Sequence, residues 1–110
     1  MKSVFILTLE DYDDEIGKTL GPRVNDYMNN IYKYRAFASL EVAIDEAESI
    51  IVMVIGGGIS AWRINKPYNL TINNGFVYYL HFDVDHLRNK EVINTEKITY
   101  KITRHLVRED

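Results

Sequence analysis

Six consecutive residues, His81-Phe82-Asp83-Val84-Asp85-His86, hold the densest set of chemistry-bearing side chains in this sequence. Two imidazoles and two carboxylates at such short spacing are the donor types that hold zinc, manganese or iron, and a metal so held could activate water for hydrolysis. His81, Asp83, Asp85 and His86 are therefore the candidate metal ligands. The competing reading is structural: a strand runs out at Phe82 and Asp83 or Asp85 caps the polar turn that follows. The serines at 3, 39, 49 and 60 lie in no nucleophile elbow of the G-x-S-x-G kind, and no catalytic residue is assigned. No cofactor is expected.

The metal string resembles a distorted H-x-H-x-D-H motif of the metallo-β-lactamase-fold hydrolases, with Asp83 where the second histidine should stand. What that resemblance implies is a metal-dependent hydrolase or nuclease. It covers six residues of 110, and only His105 remains downstream as a further histidine.

Three other stretches could do chemistry or binding. Glu10 to Glu15 (EDYDDE) places five carboxylates in six residues, too close to be anything but solvated or facing a cation. It lacks the D-x-[DN]-x-[DN]-G spacing of a calcium loop. Its functional reading is an acidic docking surface for a basic partner, formed by Asp11, Tyr12, Asp13, Asp14 and Glu15. Gly56-Gly57-Gly58 follows an apolar run, as phosphate-cradling loops do, but neither G-K-[ST] nor G-x-G-x-x-G is present, so a turn is expected. Finally, Lys97, Lys101, Arg104, His105 and Arg108 stand near a tyrosine-rich segment, a combination that can hold single-stranded nucleic acid. Strand alternation splits these charges, Lys97 and Lys101 to one side and Arg104 and Arg108 to the other.

Composition bounds these readings. The chain has 110 residues, no cysteine and a formal charge of −3. One domain spanning 1–110 is expected, large enough to bury a core without disulfides, in a reducing cytoplasm. The longest apolar run, Ile50 to Ile55, is far too short to cross a membrane. A negative balance makes nucleic acid an unfavoured partner. Residues 1–50 carry ten acids and five bases, whereas 51–110 carry six acids and eight bases, so the charge is unevenly divided.

The elements follow from periodicity. Lys2 to Leu9 reads as a central strand with apolar groups on both faces, and the acidic stretch and Gly17 that follow read as loop. Val24, Tyr27, Met28 and Ile31 predict a helix over 23–34. Ser39 caps a second helix whose buried stripe is Leu40, Ala43, Ile44 and Ala47. Ile50 to Ile55, rich in β-branched residues, reads as a buried strand turned by the three glycines onto Ile59 to Ile64. Asn73-Asn74-Gly75 predicts a hairpin between Tyr68–Ile72 and Phe76–Phe82, entered through Pro67. Asp83 to Glu91 reads as a polar loop. Lys97 to Arg108 alternates cleanly, Ile98, Tyr100, Ile102 and Leu106 inward, as a half-solvated or edge strand. The sum is an α+β fold, a mostly antiparallel sheet of about five to six strands with two helices on one face, in the order β-α-α-β-β-β-β-β.

One broader resemblance spans the chain. The strand ending in acids (VFILTLEDYDDE), the pattern Phe37, Ser39, Glu41, Ala43, Glu46, Ala47, Glu48 and the basic terminal strand (YKITRHLVRE) are similar to small bacteriophage accessory proteins of the host-takeover or anti-defence type. That resemblance implies a non-enzymatic module that inhibits or modulates a host protein in the host cytoplasm. The expected contact residues are Asp11, Tyr12, Asp13, Asp14 and Glu15 together with Tyr78 and Tyr79, because aromatic anchors ringed by polar groups carry binding energy. A homodimer through the Phe76–Phe82 hairpin is the assembly this reading allows.

Overall fold

The computed structural model describes residues 2–19, 35–56 and 62–108. They form one five-stranded antiparallel sheet in the order β2-β1-β5-β4-β3, backed by helix on one side. The strands are β1 (Lys2–Tyr12), β2 (Arg35–Phe37), β3 (Trp62–Asn73), β4 (Val77–Arg88) and β5 (Glu91–Val107), and the helices are α1 (Asp14–Thr19) and α2 (Leu40–Gly56). This is the expected α+β class, with the element order changed. The helix expected over 23–34 lies outside the described residues, as do Gly57 to Ala61. Among the described residues no helix is long and apolar enough to cross a membrane.

The largest correction concerns Ile50 to Ile55, which is not a strand but the last turn and a half of α2. The reason is visible in the burial. Ala43, Ile44, Ala47, Ile50 and Ile51 are all buried, at spacings of one, three and four residues, while Val52 and Met53 are exposed. The apolar run therefore carries the helical stripe onward and then crosses it, and packing outweighs the β preference of isoleucine and valine. Ser39 caps the helix as expected: its Oγ accepts the Val42 N–H at 3.2 Å, and Glu41 occupies the first turn. Gly56 ends α2 and so belongs to no hairpin between 50–55 and 59–64; of the second expected arm, Trp62 to Ile64 lie in β3.

The sheet is longer than expected. β4 does not stop at Phe82 but continues to Arg88, so Asp83 to Glu91 is strand, a two-residue turn and strand again. Asn89 and Lys90 make that turn, with φ of 52° and 66° between the paired residues Arg88 and Glu91. The Asn74-Gly75 turn is where it was expected. Both residues have positive φ, Asn74 accepts the Phe76 N–H through its side chain, and Phe76 belongs to the turn rather than to the second arm. Pro67 is not an entry turn; it sits inside β3, in a register shift between Asn65 and Asn69.

β5 is the centre of the sheet, flanked by β1 and β4, rather than an edge. Ile98, Tyr100 and Ile102 point into the core as expected, but Leu106 is 49% exposed, because β5 there runs past the end of β4. On the packed face, Leu80, Phe82 and Val84 of β4 and Leu7 of β1 join Trp62 and the α2 stripe in one cluster. Phe82 meets Tyr100 edge-on at 6.2 Å. Each such fully buried side chain contributes about 1.5–3 kcal/mol by leaving water.

Candidate binding face of the sheet

Alternation along β4 decides the fate of the four candidate metal ligands. His86 points to the packed side, where it stacks on Trp62 at 4.3 Å and 8°. His81, Asp83 and Asp85 point to the other side, since the register pairs them with Asn69, Asn65 and Arg63 rather than with core residues. The imidazole of His81 is turned to Thr71 and Thr99 and the carboxylate of Asp85 to Thr95 and Asn65, so neither is directed at a common ion. Among the described residues no group of three histidines or acids could hold a metal. His105 is six residues along β5 from Thr99, the partner of His81, so it does not complete the set.

What alternation builds instead is a polar stretch on the side of the sheet that no described helix covers. Across β3, β4 and β5 it runs in rows: Arg63, Asp85, Thr95; then Asn65, Asp83, Lys97; then Asn69, His81, Thr99; then Thr71, Tyr79, Lys101. β1 extends the last two rows with Asp11 and Thr8. Thr8 Oγ1 donates to the Lys101 carbonyl at 3.3 Å. No described helix packs against this side of the sheet.

The groups on this face hold one another. Asp85 is only 4% exposed, and its carboxylate accepts from Thr95 Oγ1 at 2.8 Å, Asn65 Nδ2 at 3.4 Å and Arg63 Nη2 at 3.5 Å. The Arg63 end of that ion pair is 61% exposed, so solvent screens it and the threonine and asparagine bonds do most of the fixing. His81 is held between two hydroxyls, Nδ1 at 3.0 Å from Thr99 and Nε2 at 3.4 Å from Thr71. A hydroxyl can donate or accept, so this pair satisfies either neutral tautomer. Beside it lies a shallow concavity of about 170 Å³ lined by Asn69, His81, Asp83 and Lys97, next to the point where β3 departs from β4 register.

The acidic stretch is not a loop. Glu10 to Tyr12 end β1, Asp13 is the hinge, and Asp14 opens α1, which also contains Gly17. An extra residue in β1 between Leu9 and Asp11 puts Asp11 on the polar face and Tyr12 on the packed side. There the Tyr12 ring lies over Gly17, at a spot where any Cβ would collide with it. Asp13 clasps β5: its Oδ2 accepts the Lys97 N–H at 2.9 Å and its own N–H donates to the Lys97 carbonyl at 3.0 Å. Glu96, 6% exposed, then caps α1 from across the sheet, accepting from the Glu15 N–H at 2.9 Å and the Ile16 N–H at 3.2 Å. The four free amides of a helix start and its positive dipole end explain why a buried carboxylate is stable here.

Of the expected contact residues, Asp13 is thus committed to the fold, while Asp11, Tyr12 and Glu15 remain exposed. Tyr78 and Tyr79 cannot act together. Tyr78 faces the core, 6.3 Å from Phe5, with its hydroxyl donating to the Gly75 carbonyl at 3.1 Å. Tyr79 stands partly buried on the polar face between Thr71 and Lys101. The basic residues divide as expected: Lys97 and Lys101 share the polar face, whereas Arg104 turns to the other, donating from Nε to Ser3 Oγ at 2.9 Å and lying over the Phe76 ring.

Sequence reasoning missed Arg63, Asn65, Thr71, Thr95, Glu96 and Thr99. The signal was present in β5, where Thr95, Lys97, Thr99, Lys101 and Thr103 put a polar group at every second position, beginning two residues before Lys97. No family model, no curated protein and no solved structure matches this chain, so the face is read from its own residues alone.

Proposed function

We propose that this chain is a non-enzymatic protein-binding module that recognises its partner through the open polar face of the sheet, with Tyr79 as the central anchor. The observation that carries this reading is that polar groups of the face are already hydrogen-bonded to one another. Asp85 and His81 each have their partners in neighbouring strands, so they offer a fixed pattern of donors and acceptors rather than a group held ready to react. A partly buried tyrosine among threonines, lysines and carboxylates on such a support loses little entropy on binding. In this reading the partner is a host protein that the module inhibits or redirects in the host cytoplasm, as the resemblance to bacteriophage accessory proteins implies. Asp11 extends the contact along β1, with Tyr12 and Glu15 at its margin. Metal hydrolysis loses its four-ligand set, and nucleic acid is disfavoured because Asp11, Asp83 and Asp85 share the face with Lys97 and Lys101.

A photoreactive phenylalanine analogue placed at Tyr79 tests this in bacterial lysate, with the same group at exposed Val52 on the outer side of α2 as control. One discrete adduct at position 79, absent at 52 and lost when Lys101→Glu is added, is expected. Equal labelling at both positions would sink the reading.

A further inference from the structure

Among the described residues β3 is an edge strand, and its two halves differ in sequence and register. The first half carries exposed Arg63 and the register shift between Asn65 and Asn69, and charge and irregularity are usual means of keeping an edge from pairing. The second half, Asn69-Leu70-Thr71-Ile72-Asn73, has no charge, no proline and no irregularity, and stays paired to β4 throughout. Its outer backbone groups face no other described strand. Ile72 in it is 63% exposed, more than any other large apolar side chain described.

This segment also reads nearly the same in both directions. Laid antiparallel to itself about Thr71, it sets Asn69 opposite the partner's Asn73, Leu70 opposite the partner's Ile72, and Thr71 opposite the partner's Thr71. Amides meet amides, aliphatic groups meet aliphatic groups and hydroxyl meets hydroxyl, which are favourable cross-strand combinations. A centre on a residue is consistent whichever way the Thr71 backbone points, because either that pair or its two neighbours exchange the hydrogen bonds. We infer that the free edge of β3 at 69–73 is the self-recognition surface of this chain, joining two copies through a two-fold axis at Thr71.

Two consequences are geometric. Paired residues share a side of the sheet, so the axis is normal to it. The two sheets merge into one of ten strands, with both α2 helices on one side and both polar faces continuous on the other. This assembly differs from a dimer through the Phe76–Phe82 arm: β4 is paired on both sides, by β3 and β5, and has no edge to offer. Five paired residues bury less than the roughly 1,200 Å² of a standard stable interface, so the dimer forms in a concentration-dependent way.

The chain has no cysteine, so a single introduced thiol reports the register. Opposite Cβ atoms in an antiparallel pair lie about 4.5–5.5 Å apart, close to disulfide distance, whereas diagonal neighbours lie about 7–8 Å apart. Thr71→Cys is therefore expected to oxidise to a covalent dimer at least about tenfold faster than Ile72→Cys, which is diagonal to itself, and faster than Leu106→Cys, an exposed site elsewhere. Sedimentation of the unmodified chain should show its mass rising toward the dimer with concentration, and Ile72→Lys should weaken that rise at least tenfold. Where circular dichroism finds Ile72→Lys unfolded, Thr71→Lys at an exposed position serves instead. A chain that stays monomeric up to about 1 mM overturns the inference and leaves the edge to a foreign strand. Equal oxidation at positions 71 and 106, or a dimer unaffected by the lysine variants, overturns it as well. None of these measurements depends on the photolabelling at Tyr79.

Discussion

The two sides of this sheet are made by the same strands, residue by residue in alternation, yet they are held by opposite means. On one side Leu80, Phe82 and Val84 are sealed against Tyr100, Trp62 and the α2 stripe, and the binding is non-directional. On the other, Tyr79, His81, Asp83 and Asp85 stand in water or in hydrogen bonds to threonines and asparagines of the flanking strands. The first arrangement accounts for stability and tolerates little change of volume. The second contributes less to stability and fixes the positions of polar groups. Two buried carboxylates mark the difference: Glu96 anchors a helix on the packed side, and Asp85 organises a row on the bare one.

Substitutions can break this contrast, and the largest effect belongs to the core. Phe82→Ala is expected to cost about 3–5 kcal/mol, since it opens a cavity between Tyr68, Tyr100 and the helix side; urea denaturation measures it. Glu96→Ala comes next at about 2 kcal/mol, because two amides of α1 lose a charged acceptor, and hydrogen exchange at Ile16 should quicken with it. Asp85→Asn keeps an acceptor for Thr95 and loses only the charge, so about 1 kcal/mol is expected by the same denaturation. Tyr79→Ala should change stability least, by no more than about 0.5 kcal/mol, while partner capture falls away. A Tyr79 variant as damaging as the Phe82 one would show that the bare side is a covered surface after all.

Much of the fold was legible and the reasons are local. Asn74-Gly75 announced its hairpin because positive φ at two successive positions leaves few residue types to choose from, and Ser39 announced its helix because a hydroxyl cap is a short-range device. Asn89-Lys90 makes a similar turn and went unread, since lysine is a poor signature for φ of 66° and Asp83, Asp85 and His86 disguised the strand before it as loop. Ile50 to Ile55 misled by propensity; only burial against the sheet tells a helix turn from a strand there. The candidate site was half legible. His81, Asp83 and Asp85 were singled out together and do share one side of β4, while period two along the strand sends His86, their neighbour in sequence, to the other. Glu96 was invisible: its value lies in meeting Glu15 and Ile16 some 80 residues away in sequence.

β1 has one consequence beyond the finished structure. Its main partner is β5, and the hydrogen bond from Thr8 to Lys101 spans 93 residues. During synthesis, then, the apolar segment Val4 to Leu9 emerges well before β5, its long ladder partner, and among the described strands only three-residue β2 is there to pair with it earlier. Such long-range closure slows folding and leaves an unpaired, aggregation-prone strand waiting in solution. The acids of Glu10 to Glu15, next along the chain, place five negative charges beside that segment, the kind of flank that opposes association of unfolded chains.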